Sequence, residues 1–205
     1  MKIVILVLAA IAAYCVGGWN PAIEMSKRIY HKDIRTIGSG NPGFTNFKRA
    51  FGNKWAWWVF ALDLFKAAVV VAIFSVLYKY VGGGSFQFGA AFTGLFAMLG
   101  HAFPAWYGFK GGKGFLVYMS IIWFIDWPAG IIAAVILVVL LLTTKFMSLS
   151  TMCAVTATVI WLLATQRASW VVIAICAAEV AFIIIRHKEN IVRLAKGTES
   201  KFKIK

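Results

Sequence analysis

The sequence predicts an all-α integral membrane protein: a helical bundle of about seven transmembrane segments, with the N-terminus outside and the C-terminus in the cytoplasm. Three observations favour this fold class. The 205-residue chain is 61% hydrophobic and only 14% charged, which is unlike an ordinary soluble domain. Its apolar residues form long runs separated by short polar segments, and its basic residues collect on one side of these runs. We expect a single domain over residues 1–205, because the polar segments are too short to form another.

Seven apolar runs are the candidate membrane helices: residues 3–18, 55–80, 86–100, 115–125, 129–142, 149–163 and 170–185. A full span needs about 20 apolar residues, so the second run is long enough, whereas the fourth and fifth are short. The first run resembles a signal peptide, but the bulky Tyr14 beside Cys15 disfavours cleavage. We therefore interpret it as a retained membrane helix.

Charge decides whether the fourth and fifth runs are two segments or one broken helix. With seven segments, 17 of the 21 Lys and Arg residues lie inside, Lys2, Lys79 and Arg167 lie outside, and Lys66 lies within a helix. Fusing the two runs would move the basic tail 186–205 outside. The sequence Asp126-Trp127-Pro128 supplies a natural break, because proline cannot continue a helix and aspartate is costly in lipid.

This topology places three basic, glycine-containing segments on one face: residues 38–49, 100–114 and 186–201. The net charge of +14 suits an anionic partner, and the hydrophobicity of the chain excludes nucleic acid as the main one. The three cysteines all lie within apolar runs, so they indicate neither a disulfide framework nor a zinc site. We also expect no other metal and no cofactor. Together the three segments indicate one site for an anion.

In the first segment, three glycines allow backbone amides to approach a ligand closely. Neutral donors and one forked cation follow them, a combination suited to phosphate: Ser39, Asn41, Thr45, Asn46 and Arg49. The alternative interpretation is an ordinary turn between helices, with cationic residues that anchor it to the membrane.

In the second segment, Lys110-Gly111-Gly112-Lys113-Gly114 opens directly into an apolar helix, and amides at a helix N-terminus bind anions. It is not a Walker A loop, because Gly114 stands where that motif has Ser or Thr. His101 is either a proton carrier or a polar end-cap of the preceding helix.

The third segment predicts an amphipathic helix at the interface, with Arg186, His187, Asn190 and Arg193 clustered on one side. A tail that simply binds anionic lipid is the alternative. Within the membrane, Asp63 and Lys66 are three residues apart on one helix face, so we expect them to pair or to line a cavity. We expect Glu179 to face the bundle interior, and we interpret all three as structural.

The three segments, in this order and with this spacing, resemble the motifs of the bacterial acyl-phosphate:glycerol-3-phosphate acyltransferase family across nearly the whole chain. The motifs read here as Gly38-Ser39-Gly40-Asn41-Pro42-Gly43 with Thr45, Asn46 and Arg49; as Gly100-His101 with Phe109-Lys110-Gly111-Gly112-Lys113-Gly114; and as Arg186-His187 with Asn190, Arg193, Gly197 and Glu199. Two departures stand out. Phe44 replaces a residue that is usually small, and Phe115-Leu116-Val117 replaces a small, Thr-containing run.

The resemblance implies transfer of a fatty acyl group from acyl phosphate to the sn-1 hydroxyl of glycerol 3-phosphate, at the cytoplasmic face of the bacterial inner membrane. The resemblance also implies that membrane lipid surrounds the protein and that it has no obligate protein partner. The implied catalytic residues are Ser39, Arg49, His101, His187 and Asn190. The implied phosphate-binding residues are Gly38, Gly40, Asn41, Thr45, Asn46, Lys110, Gly111, Gly112, Lys113, Gly114 and Arg193.

Three other function classes make different predictions for this sequence. Acyltransferases that use thioester donors carry His-x4-Asp, but the fifth positions after His31, His101 and His187 are Thr36, Trp106 and Val192, which excludes that class. A transporter or binding protein for small phosphorylated anions is the main alternative, although it predicts charged groups at the bilayer midplane and on both faces. A purely structural membrane protein is the third.

Overall fold

The computed structural model describes residues 1–203, so the last two residues of the predicted domain, 204 and 205, lie outside the described residues. All regular elements within residues 1–203 are helical, which confirms the predicted fold class. The α-helices are α1 Lys2–Gly18, α2 Pro21–Tyr30, α3 Phe44–Phe51, α4 Asn53–Tyr80, α5 Phe86–Ala102, α6 Phe115–Ile125, α7 Trp127–Thr144, α8 Met147–Thr165, α9 Trp170–Arg186 and α10 Lys188–Ala195. Two 3₁₀ turns, Ile34–Thr36 and Ala105–Tyr107, lie in the connections.

Each of the seven predicted apolar runs forms a helix, but not every helix is long enough to span a membrane. Five described segments are long and apolar enough: Lys2–Tyr30, Asn53–Tyr80, Phe86–Tyr107, Trp127–Thr144 and Met147–Thr165. A sixth is available if α9 and α10, bent by 57° at His187, count as one span. Helix α6 has only 11 residues. Five or six spans are thus supported, and the seventh span and the orientation stay predictions.

Helix α5 is the central element, because α1, α4, α6 and α9 all pack against it. Its contact with α1 is close: a Cβ on Gly17 would lie 2.1 Å from the Ala97 carbonyl oxygen, and one on Gly100 would lie 2.2 Å from that of Tyr14. Without a hydrophobic effect between helices in lipid, such small residues let backbones approach and gain van der Waals contact. The Tyr14 hydroxyl also donates to the Phe103 carbonyl oxygen at 2.6 Å.

The predicted break between α6 and α7 is confirmed. Asp126 ends α6 and caps α7, since its Oδ1 accepts from the Ala129 amide at 3.0 Å, and Pro128 occupies the first turn. The carboxylate is buried and is compensated by Arg167, whose Nε lies 2.5 Å from Oδ2. The break therefore rests on a proline, a capping carboxylate and an ion pair to Arg167 in the connection between α8 and α9.

The intramembrane charges also lie as expected. Lys66 Nζ is 2.8 Å from Asp63 Oδ1, and both side chains are buried. Glu179 is fully buried on α9 within the bundle.

Candidate functional site

The three basic segments and the facing parts of α4, α7 and α8 enclose a cavity of about 130 Å³, called here the central cavity. Its lining combines polar side chains, most of them from the basic segments, with apolar side chains from α3, α4, α6, α7 and α8. The lining residues are Ser39, Asn41, Gly43, Phe44, Thr45, Asn46, Arg49, Phe60, Asp63, His101, Lys113, Gly114, Phe115, Leu116, Leu137, Met147, Ser148, Thr151, His187, Asn190, Arg193 and Glu199.

Four helices begin at this cavity, since residues from the first turns of α3, α6, α8 and α10 line it. Their N-cap residues are Gly43, Gly114, Phe146 and His187, and none makes a side-chain capping hydrogen bond. The first amides of a helix have no intrahelical acceptor and carry the positive end of the helix dipole. Several such helix starts around one cavity favour an anion.

The turn at residues 38–40 is held by Asn46. The Asn46 Oδ1 accepts from the Ser39 amide at 3.1 Å, and its Nδ2 donates to the Ile37 carbonyl oxygen at 2.9 Å. Gly38 has a φ of 60°, and a Cβ there would lie 2.5 Å from Asn46 Oδ1, so only glycine fits. Asn46 thus fixes the loop that presents Ser39 to the cavity.

Gly111 and Gly112 have a different role from the one suggested by their position before a helix. Their amides donate to the Ala102 and His101 carbonyl oxygens, at 3.1 and 3.0 Å. A Cβ on Gly112 would lie 2.1 Å from His101 Nε2. These amides are therefore already hydrogen-bonded to backbone carbonyl oxygens. The two glycines let the loop pack tightly on the end of α5.

The structure brings most of the predicted site residues together and separates a few. The cavity is lined by Ser39, Asn41, Thr45, Asn46, Arg49, His101, Lys113, Gly114, His187, Asn190 and Arg193. Five predicted residues do not line it: Gly38, Gly40, Lys110, Gly111 and Gly112. Lys110 is exposed. The polar lining residues that sequence reasoning did not assign to the site are Asp63, Ser148, Thr151 and Glu199.

Glu199 connects the polar side of the cavity. Its Oε1 accepts from Asn190 Nδ2 at 2.7 Å and from Ser148 Oγ at 2.8 Å, and its Oε2 accepts from Arg193 Nε at 2.7 Å. Burial alone would raise the pKa of this carboxyl, but these three hydrogen bonds outweigh it and lower the pKa below its usual range. The sequence signal for Glu199 was its place in the third segment.

Two cations reach the cavity from different segments of the chain, Lys113 and Arg49. Lys113 Nζ donates to Asn190 Oδ1, and burial together with the nearby Arg193 charge lowers the pKa of Lys113 to about 8. Arg49 donates from Nη2 to the Ser200 carbonyl oxygen at 2.8 Å, which leaves further N–H groups for a ligand. Arg193 is the third cation of the lining.

The two buried histidines, His101 and His187, are both contacted at Nδ1 but differ in whether that nitrogen carries the hydrogen. Lys66 Nζ is ion-paired with Asp63 Oδ1, donates to the Trp19 carbonyl oxygen at 2.6 Å and lies 3.1 Å from His101 Nδ1. An ammonium has three N–H donors and no acceptor, so His101 Nδ1 is unprotonated and Nε2 carries the hydrogen.

His187 has the opposite tautomer. Its Nδ1 lies 2.8 Å from the Ile183 carbonyl oxygen and can only donate to it, which leaves Nε2 as an acceptor. The Nε2–H of His101 therefore packs against Gly112, whereas Nε2 of the cavity-lining His187 is an acceptor.

The apolar part of the lining, called here the apolar wall, consists of Phe44, Phe60, Phe115, Leu116, Leu137 and Met147. Phe44 packs against Phe60 and Trp57, with ring centroids 5.3 and 5.2 Å apart. The bulky residue at position 44 thus packs against aromatic neighbours while it lines the cavity.

We expect Glu199→Gln to destabilise the fold at neutral pH by about 1.5–3 kcal/mol, the usual contribution of a hydrogen bond to a charged group. Because the folded pKa of Glu199 is lowered, its stabilisation is complete above the ordinary value of about 4.3 and declines as the pH falls below it. Denaturant unfolding in micelles, as a function of pH, measures this difference. Glu189→Gln is the control, because Glu189 is 73% exposed and its ion pair with Arg193 is long, at 4.0 Å. Such an exposed pair contributes little to stability. Equal losses in both variants, or a loss that persists at acid pH, would contradict the role of the Glu199 charge.

Comparison with known proteins identifies the family. Residues 7–197 match the family model described as glycerol-3-phosphate acyltransferase. The glycerol-3-phosphate acyltransferase of Brucella anthropi is 34% identical over 96% of this chain and 92% of that protein, and the one of Francisella philomiragia is 38% identical over 92% and 89%.

Solved structures agree with the sequence matches. The crystal structure of PlsY (YgiH), an integral membrane glycerol 3-phosphate acyltransferase, in its glycerol 3-phosphate form superposes with a TM-score of 0.87 at 30% identity, covering 97% of this chain and 96% of that one. Its lysophosphatidic acid form gives a TM-score of 0.83 at 29% identity, with 97% and 95% covered. This chain belongs to the glycerol-3-phosphate acyltransferase family and is a membrane acyltransferase of phospholipid synthesis.

Proposed function

We propose that this protein transfers a fatty acyl group from acyl phosphate to the sn-1 hydroxyl of glycerol 3-phosphate, forming lysophosphatidate and inorganic phosphate. The observation that carries this proposal is the central cavity, where uncapped helix starts and three cations face an apolar wall. Both substrates are phosphate anions, and the donor also has a hydrocarbon tail. The PlsY structures named for glycerol 3-phosphate and lysophosphatidic acid are consistent with it.

The phosphates would be held by charge-assisted hydrogen bonds. Arg49 and Lys113 approach the cavity from different segments, and Arg193 adds a third positive charge. Ser39 would donate its hydroxyl, and the amides at the starts of α3 and α6 would supplement the side chains. Since an acyl phosphate is already activated, the enzyme has chiefly to position the substrates and stabilise developing negative charge.

In the proposed reaction, the sn-1 oxygen attacks the acyl carbon and forms the ester bond. The bond from that carbon to the phosphate oxygen breaks, and inorganic phosphate leaves with the electron pair. The hydroxyl proton passes to the departing phosphate, which is a sufficient base by itself. His187 Nε2, an acceptor, would orient the attacking hydroxyl, and Asn190 would hold the neighbouring phosphate.

His101 suits a supporting role in this scheme. Its Nδ1 already accepts from Lys66, so the neutral ring cannot take a proton there, and its Nε2–H is a donor. The Asp63–Lys66–His101 chain would fix this tautomer beneath the phosphate site.

We propose direct transfer without an acyl-enzyme. A serine or cysteine nucleophile needs an adjacent base, and none of the histidine hydrogen bonds within residues 1–203 involves a serine or cysteine side chain. The apolar wall would hold the acyl tail. The proposed site lies at the cytoplasmic face of the bacterial inner membrane, where the predicted topology places the basic segments.

The reaction can be tested with purified protein in micelles, supplied with acyl phosphate and glycerol 3-phosphate. We expect phosphate release matched by lysophosphatidate acylated at sn-1, and no product when acyl-CoA replaces acyl phosphate. Arg49→Ala should reduce the rate at least about 100-fold, because it removes a cation that stabilises developing charge.

Arg28→Ala is the matched control, since Arg28 is an exposed partner of Glu24 and does not line the cavity. Wild-type phosphate release no faster than that of Arg49→Ala would reject the reaction. Equal use of acyl-CoA would reject the donor.

The pKa of Lys113 predicts an alkaline limit to substrate capture. Lys113 is cationic below about pH 8 and loses its charge above it, whereas the phosphate of the substrate stays a dianion over that range. We therefore expect kcat/KM for glycerol 3-phosphate to fall as the pH rises through about 8, since this ratio reports the free enzyme.

Lys113→Arg should abolish this alkaline fall, because a guanidinium stays charged. Lys110→Arg, at an exposed position outside the cavity, should leave it unchanged. A Lys113→Arg profile that superimposes on the wild-type profile would assign the fall to another group.

A further inference from the structure

A second cavity, of about 380 Å³, lies beside the central cavity and is called here the tail pocket. It is lined by Lys48, Arg49, Gly52, Asn53, Ser200, Lys201, Phe202 and Lys203. Four of these described lining residues are basic and none is acidic. Arg49 lines both cavities, so the two share a wall.

The C-terminal segment that forms one side of the tail pocket is fastened to the rest of the protein. The Phe202 amide donates to the Lys145 carbonyl oxygen at 2.7 Å, and the Phe202 ring lies 6.0 Å from Phe44. Lys48 Nζ lies 4.4 Å from the centroid of the same ring, in cation–π contact. Because Phe202 is buried, the exposed Lys201 and Lys203 on either side of it are held in place.

The other side of the tail pocket is the start of α4, the longest helix that the structure describes. Gly52 is its N-cap, with a φ of 82° and no side-chain capping bond. A Cβ on Gly52 would meet nothing within 4 Å, so there is open space beside the N-cap of α4. The positive end of a 28-residue helix therefore adds to the basic side chains.

The tail pocket lies at the start of α4, a helix that is long and apolar enough to span a membrane. Trp57 and Trp58, in the second turn of α4, are 53% and 58% exposed, which is typical of the aromatic residues at a membrane interface. Lys48 Nζ lies 5.9 Å from the Trp57 ring, so the basic pocket and the exposed aromatic residues adjoin. A ligand with both a phosphate and an apolar part fits this arrangement better than free phosphate.

We propose that the tail pocket binds the phosphate of a two-chain anionic phospholipid from the surrounding bilayer. Lys201, Lys203 and the start of α4 contact the phosphate, while Trp57 and Trp58 contact the glycerol and upper chain region. The lipid is distinct from the acyl-transfer substrates, and it touches the wall that contains Arg49. The proposal does not depend on which acyl donor the enzyme uses.

Native mass spectrometry of the detergent-purified full chain, titrated with dihexanoylphosphatidylglycerol, tests this site. Saturating glycerol 3-phosphate is present throughout to occupy the central cavity. The double variant Lys201→Ala/Lys203→Ala is compared with Lys188→Ala/Lys196→Ala, which removes the same charge from exposed positions of the C-terminal region that line neither cavity. Dihexanoylphosphatidylcholine and inorganic phosphate serve as the zwitterionic and chain-free probes.

We expect the Lys201/Lys203 variant to bind phosphatidylglycerol about 30-fold more weakly, which corresponds to about 1 kcal/mol for each basic residue near an anionic lipid. The control variant should bind within about twofold of the wild type, and phosphatidylcholine and inorganic phosphate should bind more weakly than phosphatidylglycerol. Acyl transfer by the Lys201/Lys203 variant in zwitterionic micelles confirms that it folds. Equal weakening in both variants, or phosphate binding as tight as that of phosphatidylglycerol, would overturn the proposal.

Discussion

The concentration of positive charge and unpaired helix-start amides around one membrane-level cavity is the constraint on which the rest of the structure depends. Arg49, Lys113 and Arg193 come from three distant segments of the chain and repel one another in a partly desolvated space. Glu199 offsets part of this repulsion while it ties α8, α10 and the C-terminal segment together. The remaining positive potential is what a phosphate ligand would neutralise, so folding and the proposed substrate binding rely on the same groups.

Neighbouring groups outside the cavity set the hydrogen-bonding roles of its two histidines. Lys66 and the Ile183 carbonyl oxygen select opposite tautomers of His101 and His187, so one ring donates and the other accepts. The close approach of Gly112 to His101 holds the second basic segment against α5, which places Lys113 at the cavity and leaves Lys110 outside. Local packing of this loop thus determines that Lys113, and not Lys110, lines the cavity.

Sequence periodicity and charge were enough to predict every apolar helix, the break at Asp126, the Asp63–Lys66 pair and the meeting of three basic segments. They could not assign individual amides, because the acceptors of Gly111 and Gly112 are carbonyls at the end of another helix. They also could not show that the C-terminal segment folds back through Phe202, which depends on tertiary contacts with α3 and the Lys145 turn. Span number follows from length only approximately, since α6 is short and α9 bends into α10.

The central claim is that the positive cavity binds the phosphate of glycerol 3-phosphate directly through Lys113. Solid-state NMR of the protein in lipid, with ¹⁵N-labelled lysine side chains and bound glycerol 3-phosphate, measures this contact as ³¹P-dependent dephasing of each Nζ signal. Lys113→Arg and Lys110→Arg assign the two resonances of the second segment. We expect phosphorus to dephase the Lys113 signal and to leave the exposed Lys110 signal unaffected. Dephasing of Lys110 without Lys113 would contradict the account.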